Sequence, residues 1–138
     1  MKVFIVIRLP RDDPRREDLA ALAAKTTRQA GHIPFVAYQE ILRAGITLPS
    51  EFMPFVRREI AGAQLMLILY DTELRGGLIE EGIAYAFGVP VWLAHQAGER
   101  VSSSALGCAS RVIAYQEGQD LEEQLLNAYR GWMIPARA

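Results

Sequence analysis

The chain has 138 residues, 51% of them hydrophobic, with 15 lysines and arginines against 16 aspartates and glutamates, for a formal net charge of −1. That length suits one domain, residues 1–138, with a core large enough to fold without a disulfide or metal. The balanced charge excludes a general attraction to nucleic acid polymers or to an anionic membrane surface.

Cys108 is the single cysteine, so an internal disulfide is excluded and a reducing compartment is expected. Met1 to Val6 has neither the basic start nor the long apolar stretch of a signal peptide, and no apolar run approaches the roughly 18 residues that span a bilayer. A soluble, cytoplasmic protein is expected. Apart from Lys2 and Lys25 the basic residues are arginines, whose planar fork suits phosphate and carboxylate groups.

In chain order, Val3-Phe4-Ile5-Val6-Ile7 is a near-continuous apolar run, the pattern of a strand buried on both faces. Asp12 or Asp13 followed by Pro14 predicts a helix start, a capping side chain and then proline in the first turn. Leu19, Leu22, Ala23 and Thr26 recur at helical spacing, and Gly31 ends that helix. Ile33 to Tyr38 predicts a second strand, and a short helix with a loop through Gly45 follows between Gln39 and Leu48. Ser50 is placed to cap a helix reaching Ala61, with Phe52, Phe55, Val56 and Ile60 on one face.

Leu65 to Tyr70 reads as a third buried strand ending at Asp71. A glycine turn at Gly76-Gly77 then leads into an Ala-rich helix that carries Glu80 near its start and stops at Gly88, with Val89 to Leu93 as the fourth strand. After a polar loop from Gln96 to Ser104 come a helical turn over Ala105 to Ala109, a fifth strand over Val112 to Tyr115 and a final helix over Leu121 to Met133.

Strands alternating with helices imply right-handed crossovers. The expected architecture is α/β, a three-layer flavodoxin-like or Rossmann-like fold whose five-stranded, mostly parallel sheet has the order 2-1-3-4-5. In such sheets ligands sit beyond the carboxyl ends of the strands, at the switch point beside the first strand. Arg8, Arg11, Asp71, Gly76 and Glu80 are expected to converge there. A carboxylate over a glycine-lined pocket suits chemistry at a sugar carbon, where an anionic nucleophile meets a cationic transition state. An acidic residue early in a helix also has a plain structural use, complementing the helix dipole. His95, at the end of the fourth strand, is a candidate acid or base, and His32 reads as a turn residue. Two separated histidines and one cysteine give no metal-ligand spacing, so neither metal nor cofactor is expected.

Asp71, Gly76 and the block Glu80-Glu81-Gly82-Ile83-Ala84-Tyr85-Ala86-Phe87-Gly88-Val89-Pro90-Val91 resemble the glycine-turn, Glu-x-Gly-x-Ala-x-Ala-x-Gly-x-Pro-Val signature of the nucleoside 2-deoxyribosyltransferases. The same signature occurs in the related 2′-deoxynucleoside 5′-phosphate N-hydrolases. Chain length, the apolar first strand with its Arg-containing loop, Arg16-Glu17-Asp18 and the Ser-rich loop before strand five are similar to the hydrolase branch. The resemblance implies cleavage or transfer of an N-glycosidic bond of a nucleoside or nucleotide. Glu80 matches the family's nucleophile, and Asp71 is its candidate catalytic companion. It further implies substrate contacts from Arg8, Arg11, Gly76, Gly77, Ser102, Ser103 and Ser104, the serines often reaching a neighbouring subunit, and hence a homodimer to which the apolar Met133-Ile134 end could contribute.

The chain departs from the pattern in its first loop, Arg8-Leu9-Pro10-Arg11-Asp12-Asp13, which lacks the usual glycines, and in the helix before strand three, where Glu59 stands nearest to a second family carboxylate. Phe4 takes the place of the aromatic expected in strand one. Two readings stay open: an N-glycosidase or deoxyribosyltransferase, and a catalytically inactive nucleotide-binding or interaction module on the same fold.

Overall fold

The computed structural model describes residues 1–132; Met133 and Ile134 lie outside the described residues. Eleven elements follow one another: β1 (Lys2–Ile7), α1 (Pro14–Gln29), β2 (Ile33–Val36), α2 (Ala37–Arg43), α3 (Pro49–Ala61), β3 (Leu65–Leu69), α4 (Gly76–Ala86), β4 (Val91–Gln96), α5 (Ser103–Cys108), β5 (Arg111–Tyr115) and α6 (Gly118–Arg130). The strands form one sheet in the order β2-β1-β3-β4-β5, every pair parallel. This is the order expected from the sequence.

Each face of the sheet carries its own core. Val3, Ile5, Leu65, Leu67, Leu69, Trp92 and Ala94 face α1 and α6, while Phe4, Val6, Met66, Ile68 and Leu93 face α2 to α5. Side chains on successive strand residues point to opposite faces, so a strand covered on both sides must be apolar at nearly every position. That is the reason β1 and β3 read as unbroken apolar runs. On the α1 side, Thr27 Oγ1 donates to the Ala23 carbonyl at 2.8 Å, leaving it to accept from the Tyr129 hydroxyl at 2.7 Å and so tie α1 to α6.

Several element ends differ from expectation, each for a local reason. The second strand stops at Val36, and Ala37 and Tyr38 belong to α2. Pairing with β1 runs only from Ile33 to Val36, and Ala37 and Ile41, four apart, bury the same helix face. Ser50 lies inside α3 rather than capping it, because Pro49 takes the first helical position and Leu48 becomes the N-cap. The fourth strand begins at Val91, not Val89. Gly88, at φ 72°, turns the chain out of α4, and the Val89 amide donates back to the Ala84 carbonyl at 2.9 Å. Pro90 then has no N–H to give to a ladder. Strand four instead runs on to Gln96.

The β1–α1 loop turns without glycine. Arg11 and Asp12 both adopt the left-handed region, at φ 42° and 64°, a conformation uncommon for side-chain-bearing residues and concentrated at functional sites. The turn closes with the Asp13 amide donating to the Pro10 carbonyl at 2.8 Å, and Asp13 caps α1 by accepting from the Arg15 amide at 3.0 Å.

Candidate active site

Two cavities open beyond the carboxyl ends of the strands, one toward each face of the sheet. The first, about 670 Å³, is lined by Val6 to Leu9 and Arg11, by Tyr38, Ile41, Ile46, Thr47 and Phe52, and by Glu73 to Gly77 with Glu80. The second, about 520 Å³, lies among the ends of β1, β3, β4 and β5 and the start of α1. Ile7, Arg8, Arg16 and Glu73 line both, so these residues form the wall between them.

Glu80 reaches the first cavity because α4 starts unusually close to the sheet. Gly76 and Gly77 are not a turn before the helix but its first two residues, with Arg75 as N-cap. A Cβ on Gly77 would stand 2.6 Å from Val6 Cγ1 and 2.8 Å from Leu74 Cδ1. Only glycine lets the helix rest directly on the end of β1. Gly77, Glu80, Glu81 and Ala84 then form the buried stripe of α4.

The two glutamates differ in use. Glu80 is 7% exposed and lines the cavity, with no hydrogen-bond partner for its carboxylate among the described residues. Burial raises its carboxyl from 4.5 to about 7. Glu81 is 2% exposed, lines neither cavity and leaves Oε2 buried without a partner. Burial lifts it likewise to about 7.

Arg8 pairs with Glu73 and lies 3.5 Å from Asp71. Arg16 lies 3.5 Å from Asp13 and 3.7 Å from Asp71 and donates to the Leu9 carbonyl at 3.3 Å. Arg11 and Arg75, by contrast, line the first cavity with no acidic partner among the described residues. The first turn of α4 has no acidic residue, and no side chain caps it. Its amides and these arginines give one side of the cavity a positive character.

The structure thus brings Glu80, Arg8, Arg11, Gly76 and Gly77 to one cavity and separates the other candidates from it. Asp71 lines the second cavity, not the first. Its Oδ1 accepts from the Glu73 amide at 2.7 Å and its carbonyl from the Leu74 amide at 2.9 Å, so it caps its own loop. Ser102, Ser103 and Ser104 are exposed and line neither cavity. Ser102 caps α5, accepting from the Ala105 amide at 3.2 Å, and its own amide donates to the Tyr70 hydroxyl at 3.2 Å. His95 is outside both cavities, its Nδ1 2.8 Å from the Gln96 carbonyl. Glu59 pairs with Lys2 and is likewise absent from both linings.

Arg75 is a lining residue that sequence reasoning missed, although its position just before the Gly-Gly start of α4 was a usable signal. Thr47 and Tyr38, the polar groups among the apolar side walls, carried none.

No family model matches the chain, and no curated protein matches it. Solved structures do. A CMP N-glycosidase of Clostridium botulinum, BcmB, superposes with a TM-score of 0.69 at 14% identity, over 91% of this chain and 98% of that one. A 2-deoxyribosyltransferase of Bacillus psychrosaccharolyticus superposes with a TM-score of 0.67 at 18% identity, over 91% of this chain and 96% of that one. The chain shares the fold of these two proteins. That fold is the α/β architecture implied by the block from Glu80 to Val91, and it extends over nearly the whole chain.

Proposed function

We propose that the protein cleaves or transfers the N-glycosidic bond of a 2′-deoxynucleoside or its 5′-monophosphate, with Glu80 as nucleophile. The observation that carries this reading is the placement of Glu80, buried and without a side-chain partner among the described residues, in the wall of a nucleotide-sized cavity that Arg11 and Arg75, likewise without acidic partners there, also line. In the reaction a Glu80 carboxylate oxygen bonds to the anomeric carbon as the carbon–nitrogen bond breaks, its electron pair leaving with the base, which takes up a proton. Water, or a second base, then attacks the glycosyl-enzyme and frees Glu80. A buried carboxylate facing an oxocarbenium-like transition state is worth more than one in water, because little solvent screens it.

The arrangement favours the 5′-monophosphate over the free nucleoside. Among the described residues Arg11 and Arg75 are the cavity's cations without an acidic partner, and Gly76 and Gly77 at the uncapped start of α4 line it with them. The apolar side walls from Ile41, Ile46 and Phe52 suit a base. The names of the two structural neighbours describe breaking a nucleotide's N-glycosidic bond and transferring a 2-deoxyribosyl group, and both fit this chemistry.

A specific observation favours the second reading, a nucleotide-binding module without catalysis. Glu59, nearest in sequence to the family's second carboxylate, is committed to Lys2, and Glu73, the other carboxylate lining the first cavity among the described residues, is paired with Arg8. Incubation with each deoxynucleoside and each 5′-monophosphate, following free base by chromatography, decides between the two. Base release that Glu80→Gln abolishes supports the enzyme; tight nucleotide binding without release in the folded wild type supports the module.

A further inference from the structure

The second cavity has no part in the chemistry above, yet it is a built site. Ile7, Leu19 and Leu69 give it apolar lining, and charged and polar side chains make up most of the rest. Tyr115 is 6% exposed and lines it, with no hydrogen-bond partner for its hydroxyl among the described residues. Burial raises the Tyr115 hydroxyl above its ordinary range, Glu99 and Asp71 add to that rise and Arg15 opposes it; all three line the same cavity as the phenol. Gln96 and Arg15 also line the cavity and likewise have no side-chain partner there. Glu99 uses Oε1 to accept from the Thr72 amide at 2.9 Å and keeps Oε2 uncommitted.

We propose that this cavity binds a free purine or pyrimidine base. The charge pattern disfavours a phosphate or carboxylate ligand, since Asp13, Asp71, Glu73 and Glu99 outnumber Arg8, Arg15 and Arg16, and two of those arginines are already paired. A simple cation would meet three guanidinium groups. A sugar would leave hydroxyls against Ile7, Leu19 and Leu69, a costly loss of hydrogen bonds. A planar heterocycle avoids all three penalties. Its faces lie against Ile7, Leu19 and Leu69, its ring N–H or amino groups donate to Glu99, and its carbonyl or ring nitrogen accepts from Arg15 or Gln96. The Tyr115 hydroxyl can give or accept. At about 520 Å³ the cavity is within the usual size range of small-molecule sites.

Base binding here does not depend on the glycosidase reading, but the two sites share a wall. Arg8 and Glu73 face both cavities, so an occupant that shifts their pairing on one side alters the other, and the coupling is reciprocal.

The test is equilibrium dialysis of the whole chain against radiolabelled adenine, guanine, cytosine and thymine separately, for wild type, Tyr115→Phe, Gln96→Ala and Thr47→Trp. Tyr115 and Gln96 line only the second cavity and Thr47 only the first. Gln96 and Thr47 are exposed, so their variants keep the test valid should the Tyr115 variant fold poorly. The expected result is binding of at least one base that weakens about tenfold in Tyr115→Phe and Gln96→Ala and is unchanged in Thr47→Trp. Absence of binding at millimolar base overturns the proposal. So does binding that Thr47→Trp weakens while Tyr115→Phe and Gln96→Ala leave it intact, since the base then occupies the first cavity. Dialysis needs no turnover, so an inactive protein that binds base separates the failure of one proposal from that of the other.

Discussion

At the scale of single residues, Glu80 and Glu81 sit side by side and are raised to about 7 by the same cause, yet only Glu80 meets a cavity. A nucleophile must be ionised, and the ionised fraction of Glu80 grows as pH rises through about 7. Base release is therefore expected to climb roughly tenfold per pH unit below that value and level off above it. A rate flat from pH 5 to 8 would remove Glu80 from the rate-determining chemistry. Glu81 gives a stability prediction of definite sign. Its folded-state value lies above the ordinary 4.5, so between about 4.5 and 7 the folded chain holds a proton that the unfolded chain has released. Stability is then greatest below 4.5 and is lost as pH rises toward 7. Glu81→Gln fills the same space without a charge to desolvate. It is expected to stabilise the fold at pH 8 by on the order of 2 kcal/mol, and to change little at pH 4. Urea denaturation at both values checks this, and an equal effect at the two would assign the gain to packing instead.

At the scale of elements, the close contact of α4 with β1 is what aims Glu80. Gly77→Ala would set a methyl against Val6 and Leu74, an overpacking expected to cost about 1–3 kcal/mol. Because the strain falls one turn before Glu80, base release should drop by more than the loss of folded protein explains. An unchanged melting temperature and rate would mean that Val6 and Leu74 yield freely. The same geometry explains which features were legible in the sequence. β1 and β3 were readable because burial on both faces forces an apolar run, and α4 because its glycines and alanines carry a distinctive spacing. The β2 end and the α3 start were not, since they turn on how many residues of an edge strand find partners and on a proline one place ahead of the expected cap. Asp71 shows the harder limit. Topology places it at the correct end of the sheet, but not on a particular face, and its loop turns the carboxylate toward Arg8 and Arg16 instead of Glu80. The serines were visible as a polar loop, and nothing in their order distinguishes a helix cap from a ligand contact.

At the scale of the whole molecule, the outer face of α4 is unusual in carrying no charge. The helix has only Glu80 and Glu81 as ionisable groups apart from Tyr85, and both are buried. Ile79 is 60% exposed, Tyr85 61% and Phe87 41%, and Leu106 on neighbouring α5 is 42% exposed. Large apolar side chains left exposed on neighbouring helices mark a contact site where they form a patch. A second copy of the chain is the occupant that the family resemblance implies, and α4 neighbours α5, whose start carries Ser102 to Ser104. Docking there would give the serines a route to a partner's cavity that their own protomer does not offer. Sedimentation equilibrium is expected to return a dimer for the wild type and a monomer for the paired substitution Ile79→Arg and Tyr85→Arg. If the serines act across the interface, the monomer should lose preference for the 5′-monophosphate while retaining slow release from free deoxynucleosides. Exposed Ser103→Ala in the dimer should lose the same preference without changing mass. A monomeric wild type, or a Ser103→Ala dimer that keeps its preference, would return phosphate recognition to Arg11, Arg75 and the α4 amides of one protomer alone.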